Sequence, residues 1–232
     1  MKKWLEKVDW IYVIVPLALL GTFWVIAAFT GQWPWQSNPY NSYALQTDSW
    51  LKGRLDLGQN YEWLELAIYQ GKYFVSFPPF PSYVLIPFVV LFGTNTPDHF
   101  IALVVTIIGC IYAVKLYRET SAEKQHSLFW VLMLYFASGY LFVGMNGYVW
   151  FIAQSMSFTL GLMALYYTLR NKGGLALTFW ACAVGCRPML ALYGILLVYL
   201  LVKGYKKENP KGTVWQLSLI HISEPTRRTP IS

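Results

Sequence analysis

The chain has 232 residues, of which 56% are apolar and only 12% charged, about half the charged share of an ordinary soluble domain. A formal net charge of +7 does not make it a nucleic-acid binder, because the basic residues flank apolar runs and no basic stripe interleaves with base-stacking aromatics. What remains is a membrane protein, many of whose 11 Trp and 17 Tyr sit where apolar runs begin or end, as rings lodged at headgroup level do.

Residues 10–30 form the first expected span, long enough to cross a ~30 Å hydrocarbon core at ~1.5 Å per residue. Lys2, Lys3 and Lys7 precede it and put the N-terminus in the cytoplasm. A signal peptide also begins with basic residues, but this apolar core is too long and the bulky Gly31-Gln32-Trp33-Pro34-Trp35 that follows has no cleavage character. An uncleaved anchor leaves residues 31–97 as a long outer loop.

That loop is the most informative part of the chain, since membrane proteins keep loops short unless the loop does something. Asn38-Pro39 reads as a helix start and Gly53 as its C′ residue. Tyr43, Ala44, Thr47, Trp50 and Leu51 share one face of that helix, while Asn41, Asp48 and Lys52 fall together on the other. The helix is expected to lie in the interface with Asp48 turned to the outer water, either as a functional acid or as a solvated carboxylate. Glu62 and Glu65 follow, and Glu65 sits among apolar neighbours. Lys52, Arg54 and Lys72 against Asp48, Asp56, Glu62 and Glu65 leave the loop at −1. Such a mixed-sign site suits a general base beside a metal-bound or cation-bound phosphate, and it equally suits a hydrated loop. The apolar run 81–93, ~13 residues, is too short to span and reads as a half-inserted or juxtamembrane helix on the outer side.

Further spans are expected at about 98–117, 128–145 and 148–169. Arg118 and Lys124 mark one inner connection, Arg170 and Lys172 another, and the uncharged Gly144-Met145-Asn146-Gly147 an outer turn. The run 174–202 is too long for one span and is broken by Arg187-Pro188, so a re-entrant or tilted hairpin turning near Arg187 reconciles it with an inner Lys203, Lys206 and Lys207. Cys110, Cys182 and Cys186 lie inside apolar runs and read as small buried hydrophobes, and His99 and His126 at span ends as interfacial.

Asp48-Ser49-Trp50-Leu51-Lys52-Gly53-Arg54-Leu55, Glu65-Leu66-Ala67-Ile68-Tyr69-Gln70-Gly71-Lys72-Tyr73-Phe74 and Phe77-Pro78-Pro79-Phe80-Pro81, followed later by Trp150-Phe151 and Gly185-Cys186-Arg187-Pro188, carry a family resemblance. Over residues 1 to about 205 the chain resembles the first part of a bacterial GT-C superfold glycosyltransferase of the protein-mannosyltransferase-like group. The resemblance implies an all-α polytopic bundle in the bacterial cytoplasmic membrane. It also implies transfer of a sugar from a polyprenyl-phosphate donor to an acceptor hydroxyl on a cell-envelope polymer or protein at the outer face. Asp48 matches the position of the general base or metal ligand and Glu65 comes second. Both would bind a divalent metal if one is used, and Asn41, Arg54, Lys72 and Arg187 are the expected substrate-binding residues. The chain departs from relatives in having Phe77 before Pro78-Pro79 where they often carry Lys, and in lacking an acid near Asn146. A non-catalytic transporter or flippase for lipid-linked sugars is the alternative, disfavoured because the acids lie in a loop and no repeat is visible.

Residues 217–232 stand apart. Leu217-Ser218-Leu219-Ile220-His221-Ile222-Ser223-Glu224-Pro225-Thr226-Arg227 resembles the in-frame translation of a transposon-based sequencing adapter. The expected natural domain is therefore 1–216, a truncated bundle without transferase activity of its own.

Overall fold

The computed structural model describes residues 9–208. Lys2, Lys3 and Lys7 and the adapter-like 217–232 lie outside the described residues. The described residues are 71% helix and 4% strand, and among them four helices are long and apolar enough to cross a membrane: Ile11–Thr30, Asp98–Thr120, Val149–Leu169 and the segment Pro188–Lys207.

Helix α1 (Ile11–Thr30) ends in an αL Gly31 whose N–H bonds the Ala27 carbonyl. Its buried residues are Ile11, Val15, Leu19, Phe23 and Ala27, a single row at four-residue spacing. Beyond that row and the half-buried Tyr12 and Leu20 beside it, Leu17, Trp24, Val25 and an 88%-exposed Phe29 face outward, as a lipid-contacting helix requires. At its far end Trp24 meets Trp33 and Trp35, which stack on each other at 5.2 Å.

The outer segment differs from its sequence reading in two ways. The helix α2 spans Ser42–Leu51 and does not begin at Asn38-Pro39. The Asn38 side chain is drawn inward instead. Its Oδ1 accepts from Tyr40 N at 2.8 Å, and its Nδ2 donates to Asp98 Oδ2 at 2.9 Å and Gly147 O at 3.1 Å. It therefore forms an Asx turn two residues on and anchors the loop to the bundle, where it was expected to cap α2. The second difference is a β-hairpin, β1 (Leu66–Tyr69) with β2 (Lys72–Val75), antiparallel with Tyr69 opposite Lys72. Its two-residue turn holds Gln70 at φ 48° and Gly71 at φ 72°, the pair of positive φ values that a tight twisted hairpin demands. Gly53, at φ 73°, does close α2. Helix α3 (Phe80–Phe92) packs on α2, with Thr47 Oγ1 donating to Ser82 O at 2.9 Å.

Helix α4 (Asp98–Thr120) crosses to the opposite end of the bundle. The run 128–145 is not one helix. It divides into α5 (Ser127–Phe136) and α6 (Tyr140–Met145). Ser138 turns its hydroxyl onto the Leu134 carbonyl and accepts from Tyr140 N at 3.1 Å, and with Gly139 beside it the helical ladder is interrupted. Helix α7 (Val149–Leu169) lies at the centre, against α4 on one side and α8 (Gly173–Cys186) on the other. Two glycines set the spacing: a Cβ on Gly109 would overlap Thr159, and one on Gly147 would overlap the Asp98–His99 backbone.

After Arg187 a short 3₁₀ turn (Pro188–Ala191) leads into α9 (Tyr193–Glu208). Gly204 lies so close to Asn171 that it has no room for a Cβ, so α9 runs back alongside α8. One end of the bundle thus gathers Asp9, ion-paired to Arg118, and Glu119, 3.3 Å from Arg170. The other gathers the loop, the N-terminus of α7 and the Arg187 turn.

Candidate functional site

Glu65 precedes β1 and the hairpin holds it against the start of α7. There its Oε2 accepts from Trp150 Nε1 at 3.3 Å. The same tryptophan is held from the other side, where Arg187 Nη2 donates to the Trp150 carbonyl at 2.6 Å. A carboxylate and a guanidinium from segments far apart in sequence therefore converge on one residue. Tyr40 packs on Trp150 at 5.2 Å and on Tyr148 at 5.4 Å, and Val149 N bonds the Tyr40 carbonyl at 3.2 Å, so the loop is keyed to the α7 N-terminus.

The other expected residues are more scattered. Asp48 lies on the partly exposed flank of α2, with Oδ2 2.6 Å from Lys52 Nζ, a helical i,i+4 pair. Asn41 does not face Asp48: its Nδ2 donates to Thr94 O at 2.8 Å and fastens α2 to the end of α3. Arg54 folds over the Gly58 turn, and Lys72 stands exposed in the hairpin turn region. A divalent ion finds no ready cage. Among the described residues no three His, Cys, Asp or Glu side chains gather, Lys52 already answers Asp48, and Glu65 is engaged by Trp150.

Sequence reasoning missed two groups. The first is a buried polar knot in which Asn38 joins Asp98 and Gly147, and Gly147 N donates to His99 Nδ1 at 3.2 Å. His99, read as interfacial, is only 4% exposed. The Asn-Pro pair at 38–39 was the available signal, since Asn before Pro favours an Asx turn as readily as a cap. The second is Tyr43, 2% exposed. Burial pushes its phenol above the ordinary tyrosine range. The nearby Arg187 guanidinium draws it partway back, and the Cys186 thiol adds to the rise. Four buried side-chain atoms among the described residues have no partner, and three of them, Ser42 Oγ, Tyr43 Oη and Arg187 Nε, belong to α2 and the Arg187 turn.

No family model, curated protein or solved structure matches the chain.

Proposed function

We propose that the chain is the N-terminal part of a GT-C-type glycosyltransferase of the bacterial cytoplasmic membrane, with its charged end inside and the 31–97 loop outside. It takes a sugar from a polyprenyl-phosphate donor and passes it to an acceptor hydroxyl of the cell envelope. The convergence of Glu65 and Arg187 on Trp150 carries this reading, because it sets an acid and a cation at one face of the bundle. An acceptor hydroxyl is a poor nucleophile. As its oxygen bonds to the anomeric carbon, its proton passes to a carboxylate, Asp48 by the family resemblance, with Glu65 orienting the acceptor. The bond from the anomeric carbon to phosphate oxygen breaks, and the electron pair leaves on the lipid phosphate, where Arg187 faces the developing charge.

The test is sugar transfer from a polyprenyl-phosphate donor by the product of the uninterrupted gene, at matched membrane protein levels. Asp48→Asn should lower turnover by ~10²–10⁴, with Glu65→Gln costing less. Near-normal turnover in Asp48→Asn with a dead Glu65→Gln moves the base to Glu65. Full activity in both removes the transferase reading.

A further inference from the structure

We propose that the start of α8 and the end of α9 form a docking site for an anionic phospholipid of the inner leaflet. Lys172, Lys203, Lys206 and Lys207 hold its phosphate, and an acyl chain lies along the outward face of α9. Charge is the first ground. At this end of the bundle Asp9 and Glu119 are taken by Arg118 and Arg170, and Glu123 lies 3.4 Å from His126. The four lysines are exposed and have no carboxylate partner among the described residues. The contact between Gly204 and Asn171 gathers them: Lys172 follows Asn171 in the chain, and Lys203, Lys206 and Lys207 lie within one helical turn of Gly204. Like charges crowd at a cost, and an anion from outside the chain offsets it.

The second ground is the surface that leads to these lysines. Helix α9 turns Leu197 and Leu201 inward and leaves Ile195, Val198 and Tyr199 exposed. Ile195, Val198, Tyr199, Lys203 and Lys206 stand at i, i+3, i+4, i+8 and i+11, so the apolar stripe runs into the lysines on one face. At ~1.5 Å rise, Lys203 lies about 12 Å along the axis from Ile195 and Lys206 about 16 Å, and half of a ~30 Å hydrocarbon core is about 15 Å. The stripe therefore measures one leaflet, with its cations at headgroup level. Such a face selects an anionic phospholipid. A zwitterionic headgroup brings its own cation against the lysines, and a free phosphate leaves the stripe unused.

The site rests on the proposed orientation only in naming the inner leaflet. Binding in a micelle is blind to orientation, so an inverted topology and a missing lipid site are separate results. The experiment is titration of the purified chain, in a neutral maltoside detergent, with phosphatidylglycerol, phosphatidylcholine and glycerol phosphate. The readouts are thermal unfolding and native mass spectrometry of retained lipid. Phosphatidylglycerol should bind at least about tenfold more tightly than either comparator, and the gap should close as salt rises. A lysine near an anionic surface is worth about fivefold in affinity, so Lys203→Gln combined with Lys206→Gln should weaken phosphatidylglycerol binding about 25-fold. The lipid-free double variant should unfold at the wild-type temperature, since Gln and Lys have matching helix propensities. Lys203→Arg combined with Lys206→Arg should keep the affinity. Lys124, exposed at the same end but in the turn before α5, is the control, and Lys124→Gln should change affinity by no more than about twofold. Three results would overturn the proposal. Equal binding of phosphatidylcholine would show that no anionic headgroup is selected. Equal binding of glycerol phosphate would show that no chain docks. A Lys124→Gln loss as large as that of the α9 pair would show diffuse surface charge in place of a site.

Discussion

Asn38 ties the outer loop to two separate parts of the bundle, so Asn38→Ala tests whether the loop is anchored there. The substitution removes the donor to Asp98 Oδ2, the donor to Gly147 O and the acceptor for Tyr40 N. Asp98 is 2% exposed, so its carboxylate loses a partner where water does not replace it. Stranding a buried group costs about 1–3 kcal/mol, more when it is charged, and the two backbone bonds add about 1 kcal/mol together. A total of about 3 kcal/mol corresponds to a fall of roughly 6–12 °C in Tm for a chain of this size. The assay is thermal unfolding in detergent of wild type, Asn38→Ala, Asp98→Ala and the double variant. Because the two residues share a bond, the double variant should lose clearly less than the sum of the singles. A loss in Asn38→Ala under about 0.5 kcal/mol, or strict additivity, would refute the anchoring role.

A cysteine at the exposed Gln59 should react with an impermeant thiol reagent added outside intact cells, and one at Ser121 should not; labelling of Ser121 would invert the proposed topology. Gly147→Ala forces a Cβ into the Asp98–His99 backbone, and overpacking of this kind should cost about 1–3 kcal/mol in the same unfolding assay. Gly71→Val places a β-branched residue at φ 72°, so the hairpin should open and proteolysis within residues 66–75 should quicken; unchanged cleavage would mean that the turn tolerates the strain.

Apolar runs made the long helices legible, because hydrocarbon content over twenty residues has few other structural outcomes. The helix-closing Gly53 and the Asp48–Lys52 pair were legible because both are local, settled within one turn. What was hidden is of two kinds. Some local signals had two outcomes: Asn38-Pro39 makes an Asx turn as well as a cap, and Ser138-Gly139 interrupts a run whose hydropathy alone reads as continuous. The rest is long-range. Trp150 meets Glu65 from 85 positions away, and no periodicity encodes which loop acid folds back onto which helix end. Arg187 was singled out because Pro188 follows it, yet its buried neighbour Tyr43 passed as one aromatic on a greasy face.

The narrow strip by which α1 touches its neighbours matters for assembly. Inside a bilayer, lipid tails solvate a leucine as well as another helix does, so association rests on fitted van der Waals contact. Five buried residues at every fourth position, flanked by the half-buried Tyr12 and Leu20, give α1 a narrow seam. Helix α7 interlocks far more closely with α4, where Gly109 meets Thr159, and with α8. The anchor is therefore the helix for which lipid tails compete best, and its place in the bundle depends most on how closely that seam fits.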